Sequence, residues 1–245
     1  MYKDLSYIAI IPARSGSKGL KNKNILPVNN HPLIAYSIAA AKASKYIDRV
    51  IVTTDGKKIA NVAMDYGAEV IDRPSELAED IIMPDIAISH AIDHLVQKED
   101  CKVDNIVFMQ PTSPLRDENE LDLAIEHYVD IGADSLFSAC NIHPCLWRTN
   151  AEKEVTPINY DPLNRQRRQD GSLDLIETGS FYISKAAVYK ANKDRFGGKI
   201  SYHLTNSLCL FEVDNRKDLD TIETILNLNN SLKRFIQPSL SQTKT

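Results

Sequence analysis

Residues 8–25 read IAIIPARSGSKGLKNKNI. The first half is apolar and β-branched, and Tyr7 to Pro12 reads as a short buried strand ended by a breaker. The second half is a loop carrying Arg14, Lys18, Lys21 and Lys23 among small residues and Asn. Such a loop is either a solvated turn or a cradle for a polyanion. Gly16 and Gly19 permit backbone conformations closed to other residues. Successive N–H groups could therefore converge on one anion, with Arg14 forking onto phosphate oxygens. The spacing is not that of a GxxxxGK[ST] phosphate loop. What favours phosphate is the loop's place, directly after the first strand.

Outward from that strand, the pattern alternates. PLIAYSIAAAKAS, with Pro32 where a helix starts, carries an apolar stripe at Leu33, Ile34, Ile38 and Ala41. DRVIVTTD follows as a strand, GKKIANVAMDYG as a helix closed by Gly67, and AEVI as a third strand. MPDIAISHAIDHL is helical, NIVFMQ a strand, ENELDLAIEHYVDIG a helix and DSLFSAC a strand. Strands alternating with helices over short connections predict an α/β fold, a Rossmann-like and mostly parallel sheet flanked by helices. Ligands of such sheets bind outside the carboxyl ends of the strands. The rule gathers loops 13–24, 72–80 and 110–116 along one edge.

The alternation stops near residue 141. Residues 141–178 hold three prolines and the run RQRRQ without a helical period. A segment that long does not hang free in a compact domain, and it reads as an inserted arm that packs on something, a second subunit being the natural candidate. Beyond it, GSFYISK and LCLFEVD read as strands and RKDLDTIETILNLNNSL as a last helix. Residues 1–232 are expected to form one domain, with 233–245 a frayed tail.

The bulk composition excludes several classes. A chain of 245 residues with 43% hydrophobic and 25% charged residues suits one sizeable domain. Its 29 Lys+Arg against 33 Asp+Glu give a net charge of −4, which argues against general nucleic-acid binding. MYKDLSY does not read as a signal peptide, and no apolar run approaches the roughly 20 residues of a membrane span. Four cysteines show no disulfide framework, so a reducing cytoplasm is expected.

Two further loops and one carboxylate pair carry polar chemistry. In DRPSELAED, Arg73 is fixed beside Pro74 and could equally cap its strand with Glu76. In QPTSPLR, two prolines stiffen a loop whose Gln110, Thr112 and Ser113 could orient a substrate. Glu212 and Asp214 stand at i and i+2, on one face of an extended chain. They suit Mg²⁺, or Asp214 merely caps the following helix. Cys140, His143 and Cys145 lack the fourth ligand of a structural zinc, and Cys140 reads as a core residue. A hydrolase elbow G-x-S-x-G is missing.

Taken in order, IPARSGSKGLKNKNI, VIVTTDGKKIA, RPSELAED, QPTSPLR, RRQD, ETGSFYIS and EVD resemble the acylneuraminate cytidylyltransferases, which include legionaminic and pseudaminic acid cytidylyltransferases. The resemblance runs from about residue 7 to 228. It implies a Rossmann-like domain with an arm exchanged in a homodimer. It also implies CTP over the first loop, at Arg14, Ser15, Gly16, Ser17, Lys18, Lys23 and Asn24, with Arg73 on the nucleotide. The anomeric hydroxyl of a nine-carbon 2-keto sugar acid (a nonulosonic acid) would attack the α-phosphorus, and pyrophosphate would leave. Gln110 and Tyr182 match sugar-contacting positions, Arg168 an arginine that meets the sugar carboxylate, often from the partner. Glu212 and Asp214 match the pair that binds Mg²⁺, or Mn²⁺ in its place. Arg14, Lys18, Lys23 and Asp214 are the implied catalytic set.

The chain departs from the family pattern in three places. The metal pair is commonly Asp-x-Asp, and here it opens with Glu212. Ile81-Ile82-Met83-Pro84 stands where small hydroxyl residues are common near the base. Thr178 replaces the Asn often found before the strand glycine. Two other readings remain: a nucleotidyltransferase for Kdo or a sugar 1-phosphate, and a non-catalytic nucleotide- or sugar-binding relative.

Overall fold

Tyr7, Ala9 and Ile11 belong to one buried apolar cluster and Ile8 and Ile10 to another. That is the period of two in an extended chain covered on both faces. The computed structural model describes residues 2–16, 19–142, 144–165, 167, 174–229 and 238–240. Its strands are β1 (Tyr7–Pro12), β2 (Pro27–Val28), β3 (His31–Pro32), β4 (Arg49–Thr54), β5 (Glu69–Asp72) and β6 (Asn105–Met109). There follow β7 (Ser135–Asn141), β8 (Trp147–Thr149), β9 (Val155–Pro157), β10 (Leu175–Lys185) and β11 (Ile200–Leu204). The helices are α1 (Leu33–Ala43), α2 (Lys57–Asp65), α3 (Pro84–Lys98), α4 (Glu120–Asp130), α5 (Ala186–Asn192) and α6 (Arg216–Asn229).

Seven strands form one sheet in the order β11-β7-β10-β6-β1-β4-β5. Every described pairing in it is parallel except the two made by β10, which runs antiparallel between β6 and β7. The mostly parallel α/β fold expected from the alternation is therefore the fold found. Helices α1, α2 and α4 lay Ile34, Ile38, Ile59 and Ile125 on one face of the sheet. Helices α3 and α5 lay Ile88, Leu95 and Tyr189 on the other. A third cluster joins α6 to the start of α1 through Val28, Tyr36, Val213 and Leu226, with Leu20 packed against it, which brings α6 beside the first loop.

Three elements differ from the sequence reading. LCLFEVD is not a strand: Ser207–Leu210 is a single 3₁₀ turn, begun where the Asn206 side chain accepts the Leu208 N–H at 3.0 Å. Apolar runs of this length do not distinguish a strand from a buried turn. The edge strand is instead β11, which the expected element order lacked. Strand β10 also begins earlier than GSFYISK, and its pairing with β7 is interrupted. From Glu177 to Tyr182 the chain advances five residues while β7 moves two, from Ala139 to Phe137. The excess is a bulge at Thr178–Phe181, the kind of defect that re-aims side chains at the rim of a sheet. Gly179 sits in it at φ +69°, in the left-handed region.

Within 141–178, β8 and β9 pair as a small antiparallel hairpin whose residues are all exposed. Of the expected tail, only 238–240 are described.

The bulge and the loop after β6 are tied by Arg116, which is fully buried. Its guanidinium donates to the Ser37 hydroxyl at 3.1 Å and to the Gln110 and Ser180 carbonyls at 3.1 and 2.6 Å. Arg116→Met is expected to cost about 2 kcal/mol in urea denaturation, since it weakens three buried acceptors at once. A loss below about 0.5 kcal/mol, the scale of an ordinary surface change, would show that the arginine does not hold this corner.

Candidate active site

The first loop leaves β1 with Ala13 still in register, its N–H donating to the Thr53 carbonyl at 3.0 Å. Ser15 is then held from the side by Asp55: its N–H donates to one carboxylate oxygen at 2.9 Å and its hydroxyl to the other. Burial alone would raise the Asp55 carboxyl, but the bonds from Ser15, the backbone N–H of Asp55 itself and the charge of Arg73 together outweigh it and the group lies below its usual range. The Ser15 N–H is thus already engaged, not free to join a cradle of bare donors. Nor are Gly16 and Gly19 left-handed. Gly16 stands in the open, whereas Gly19 is needed for close approach: a Cβ there would lie 2.8 Å from the Asp214 carbonyl oxygen. Ser17 and Lys18 lie outside the described residues.

Asn24 is buried and fixes the loop by donating to the Arg14 carbonyl at 3.1 Å. The Arg14 guanidinium forms an ion pair with Asp80, and Lys23 bonds Asp214 at 3.1 Å. Arg73 is buried and does not meet Glu76 in any described contact; it donates to the Thr53 carbonyl at 3.2 Å. Burial lowers its pKa, with Asp55 opposing the shift. Its Nε has no hydrogen-bond partner among the described residues. Arg14, Lys23, Asn24 and Arg73 together line a cleft of about 590 Å³, with Gln110 and Thr112 on its far side. Ile82, Met83 and Pro84 also line it, so the apolar departure after Asp80 faces this cleft.

A second hollow, of about 650 Å³, shares Gln110 and Asp214 with the first. Tyr182 and Glu212 line it. The Tyr182 hydroxyl donates to Glu177 at 2.9 Å, and burial pushes its pKa up to about 12. Ser113 reaches neither hollow: it is buried and donates to Glu212 at 3.1 Å. Burial raises the Glu212 carboxyl above its usual range, a shift that Ser113 partly offsets. Glu212 also lies over the bulge, where a Cβ on Gly179 would fall 1.9 Å from its Oε1.

Asp214 is not the cap of α6. Asn215 accepts the Lys217 N–H at 2.9 Å, and Asp218 accepts the N–H groups of Asp214 and Asn215 at 2.7 and 2.8 Å. This reciprocal pair is a capping box. It leaves the Asp214 side chain, 75% exposed, for the hollow and Lys23. Among the described residues, no group of three or more His, Cys, Asp and Glu is gathered to hold a metal. Glu212 and Asp214, two hard carboxylates on the second hollow, are the residues that would hold Mg²⁺, an ion that typically keeps waters and substrate oxygens as its other ligands. Cys140 is buried in β7 and bonds the Asn206 carbonyl at 3.1 Å, while Cys145 is exposed. The core reading of Cys140 holds, and His143 and Arg168 lie outside the described residues.

Sequence reasoning passed over Asp55, Arg116 and Glu177. Asp55 was within reach of it, being the acidic residue just past a parallel strand on the expected ligand edge. Arg116 meets Ser180 in the bulge and Glu177 meets Tyr182 across it, and no local pattern announces that bulge.

The cytidylyltransferase family model matches residues 8–234. The chain is 31% identical over 237 residues to N-acylneuraminate cytidylyltransferase of Escherichia coli O18:K1:H7, covering 92% of this chain and 53% of that protein. To N-acylneuraminate cytidylyltransferase A of Danio rerio it is 34% identical, over 86% of this chain and 48% of the relative. The chain thus spans about half the length of these two relatives. It is also 30% identical to CMP-N,N'-diacetyllegionaminic acid synthase of Legionella pneumophila, over 91% of this chain and 97% of that one. Among solved structures, CMP:2-keto-3-deoxy-manno-octonic acid synthetase complexed with CTP shares the fold. Its TM-score is 0.68 at 14% identity, with 91% of this chain and 99% of that one covered. With the match beginning inside β1 and running past the end of α6, the chain belongs to the cytidylyltransferase family.

Proposed function

We propose that this chain is a cytidylyltransferase that activates a nonulosonic acid of the sialic, legionaminic or pseudaminic type with CTP. The anomeric hydroxyl gives its proton to solvent as its oxygen forms a bond to the α-phosphorus, the bond from that phosphorus to the β-phosphate bridge breaks, and pyrophosphate leaves with that electron pair. The observation that carries the reading is the shared wall: the cationic cleft and the acidic hollow meet at Gln110 and Asp214. A triphosphate in the first and a sugar in the second would place hydroxyl and α-phosphorus side by side.

Arg14, Lys23 and Arg73 supply positive charge in the cleft, with Lys18 of the same loop expected to join them. Asn24 holds the loop's shape at the Arg14 carbonyl. Binding exchanges partners, since phosphate oxygens would draw Arg14 from Asp80 and Lys23 from Asp214. Glu212 and Asp214 would hold Mg²⁺, or Mn²⁺, which when bound supplies charge neutralisation at the phosphates. Gln110 and Thr112, on a loop stiffened by Pro111 and Pro114, orient the reactants; Tyr182 faces the sugar. Catalysis is then positioning and electrostatic stabilisation.

The relatives' names support CTP and the sugar acids. A homodimer is supported by the arm, whose Trp147, Val155, Ile158 and Leu163 are exposed, Leu163 at 96%. Arg168 of that arm is the expected contact for the sugar carboxylate. A cytoplasmic location accords with four free cysteines.

Pyrophosphate release should appear with Mg²⁺, CTP and one member of a panel of nonulosonic acids. Release with Kdo or a sugar 1-phosphate alone would replace this substrate class, and nucleotide binding without any release would point to a binding protein. Asp214→Ala should lower kcat at least about 100-fold at an unchanged melting temperature, and unaltered turnover would remove the metal assignment. Arg168→Ala should raise KM for the sugar acid about tenfold or more and leave CTP affinity alone. A fall in CTP affinity with the sugar KM intact would move Arg168 to the nucleotide.

A further inference from the structure

Behind the two hollows, on the sheet face covered by α3, lies a buried charge that the reaction does not use. Arg195 follows α5, with Asp194 accepting the Phe196 N–H at 2.9 Å and Ser184 donating to the Arg195 carbonyl. Its side chain is 12% exposed and that of its partner Asp85 is 3% exposed. Asp85 accepts from Arg195 Nε at 3.0 Å and from its backbone N–H at 3.1 Å, and its second oxygen pairs with Nη2. The result is a fork-on-carboxylate bond of the strongest kind. The guanidinium carbon lies 4.6 Å from the centre of the Phe108 ring and 4.5 Å from that of Tyr182. Those rings stack on each other at 5.3 Å, 22° apart.

Each contact leads to a different part of the site. Phe108 lines the nucleotide cleft and Tyr182 the sugar hollow. Asp85 is in the first turn of α3, immediately after the cleft-lining Ile82-Met83-Pro84. We infer that Arg195, locked by Asp85, is a positioning residue: it fixes Phe108, Tyr182 and the entry to α3 as one unit and so sets the sugar hollow relative to the nucleotide cleft. The surroundings are apolar, with Ile88, Ile92 and Tyr189 in the same cluster. A buried ion pair in such a place adds little net stability over well-packed apolar side chains. What it adds is directionality, because a planar fork held on a carboxylate within 4.6 Å of two ring centres has one orientation where an aliphatic chain has several. The inference rests on the proposed transfer reaction.

Two variants separate positioning from mere support. Arg195→Lys keeps the charge but loses the fork and the stacked plane. The double variant Asp85→Leu/Arg195→Met removes both charges, so that no lone buried ion remains. KM and kcat would be measured for CTP and for the sugar acid used by the wild type, beside the melting temperature. Lys185→Met is the control: Lys185 closes β10 beside the start of β6, at the end of the strands opposite the site, and the change breaks its ion pair with Asp134. Both Arg195 variants are expected to raise the sugar KM about tenfold, the double variant with a melting temperature close to wild type, and the control to leave every constant unchanged. A double variant that melts like wild type and keeps the wild-type sugar KM overturns the inference while the transferase reading stands. Variants that only melt earlier, with unaltered constants in the folded enzyme, overturn it too. A wild type silent with every nucleotide and sugar overturns both.

Discussion

The site stands on the Arg116 guanidinium. The bulge in β10 takes its residues out of the ladder with β7, and backbone groups freed in a buried place need other partners. Arg116 supplies one for the Ser180 carbonyl at 2.6 Å and reaches the Gln110 carbonyl and the Ser37 hydroxyl from the same plane. A lysine's point charge could not serve three acceptors spread over an α-helix, a loop and a strand. The group has no carboxylate among these hydrogen-bond partners, and burial pushes its pKa down to about 10. It therefore stays charged at neutral pH while bonded to neutral oxygens. Around it the rest follows: Gln110 is fixed between the two hollows, Ser113 stands under Glu212, and Gly179 turns left-handed beneath that carboxylate.

The cations of the cleft are not idle in this form of the protein. Arg14 is paired with Asp80, Lys23 with Asp214, and Arg73 lies near Asp55, which itself holds Ser15. Internal partners keep such a concentration of like charge compatible with folding. Under the proposed function they also make binding an exchange, in which a triphosphate would have to offer more than the carboxylates it displaces. These pairs are partly exposed, where an ion pair is worth little, so the exchange favours a ligand carrying several charges at once. Arg73, buried and with an unpartnered Nε, has the most to gain from a new acceptor.

Much of this was legible in the sequence, and the part that was not has a common cause. Strand β1 runs from Tyr7 to Pro12 as its apolar run indicates, and β4, β6 and β7 fall where alternation put them. The rule that ligands gather at carboxyl ends of parallel strands then assembled Arg14, Arg73 and Gln110 from three loops. These are local patterns joined by one global rule. LCLFEVD failed because a buried turn and a strand share a hydrophobic run, and β11 was missed because its ISYHL lies at an edge, partly exposed. Arg116 and Arg195 were invisible for a different reason. Their partners lie 64, 79 and 110 residues away, and no periodicity carries such distances. The hold of Asp55 on the Ser15 N–H was hidden in the same way, since Asp55 arrives from the end of another strand.

The two carboxylates of the hollow are unequal, and the substitution that begins the pair with a glutamate accounts for it. Glu212 has the length to lie over Gly179 and receive the Ser113 hydroxyl, so it is buried, and its carboxyl is raised. Asp214, two residues on, is exposed, and its carboxylate is bonded by Lys23 among the described residues. It is also released from capping because Asn215 and Asp218 close the end of α6 between them. Under the proposed function, a short, exposed carboxylate beside a long, anchored one would divide the work of holding a cation. A second aspartate at 212 would be about one methylene too short to keep the Ser113 bond from the same backbone position. The pair would then have to sit differently over the bulge. The glutamate is thus matched to the left-handed glycine beneath it, and each residue makes sense of the other.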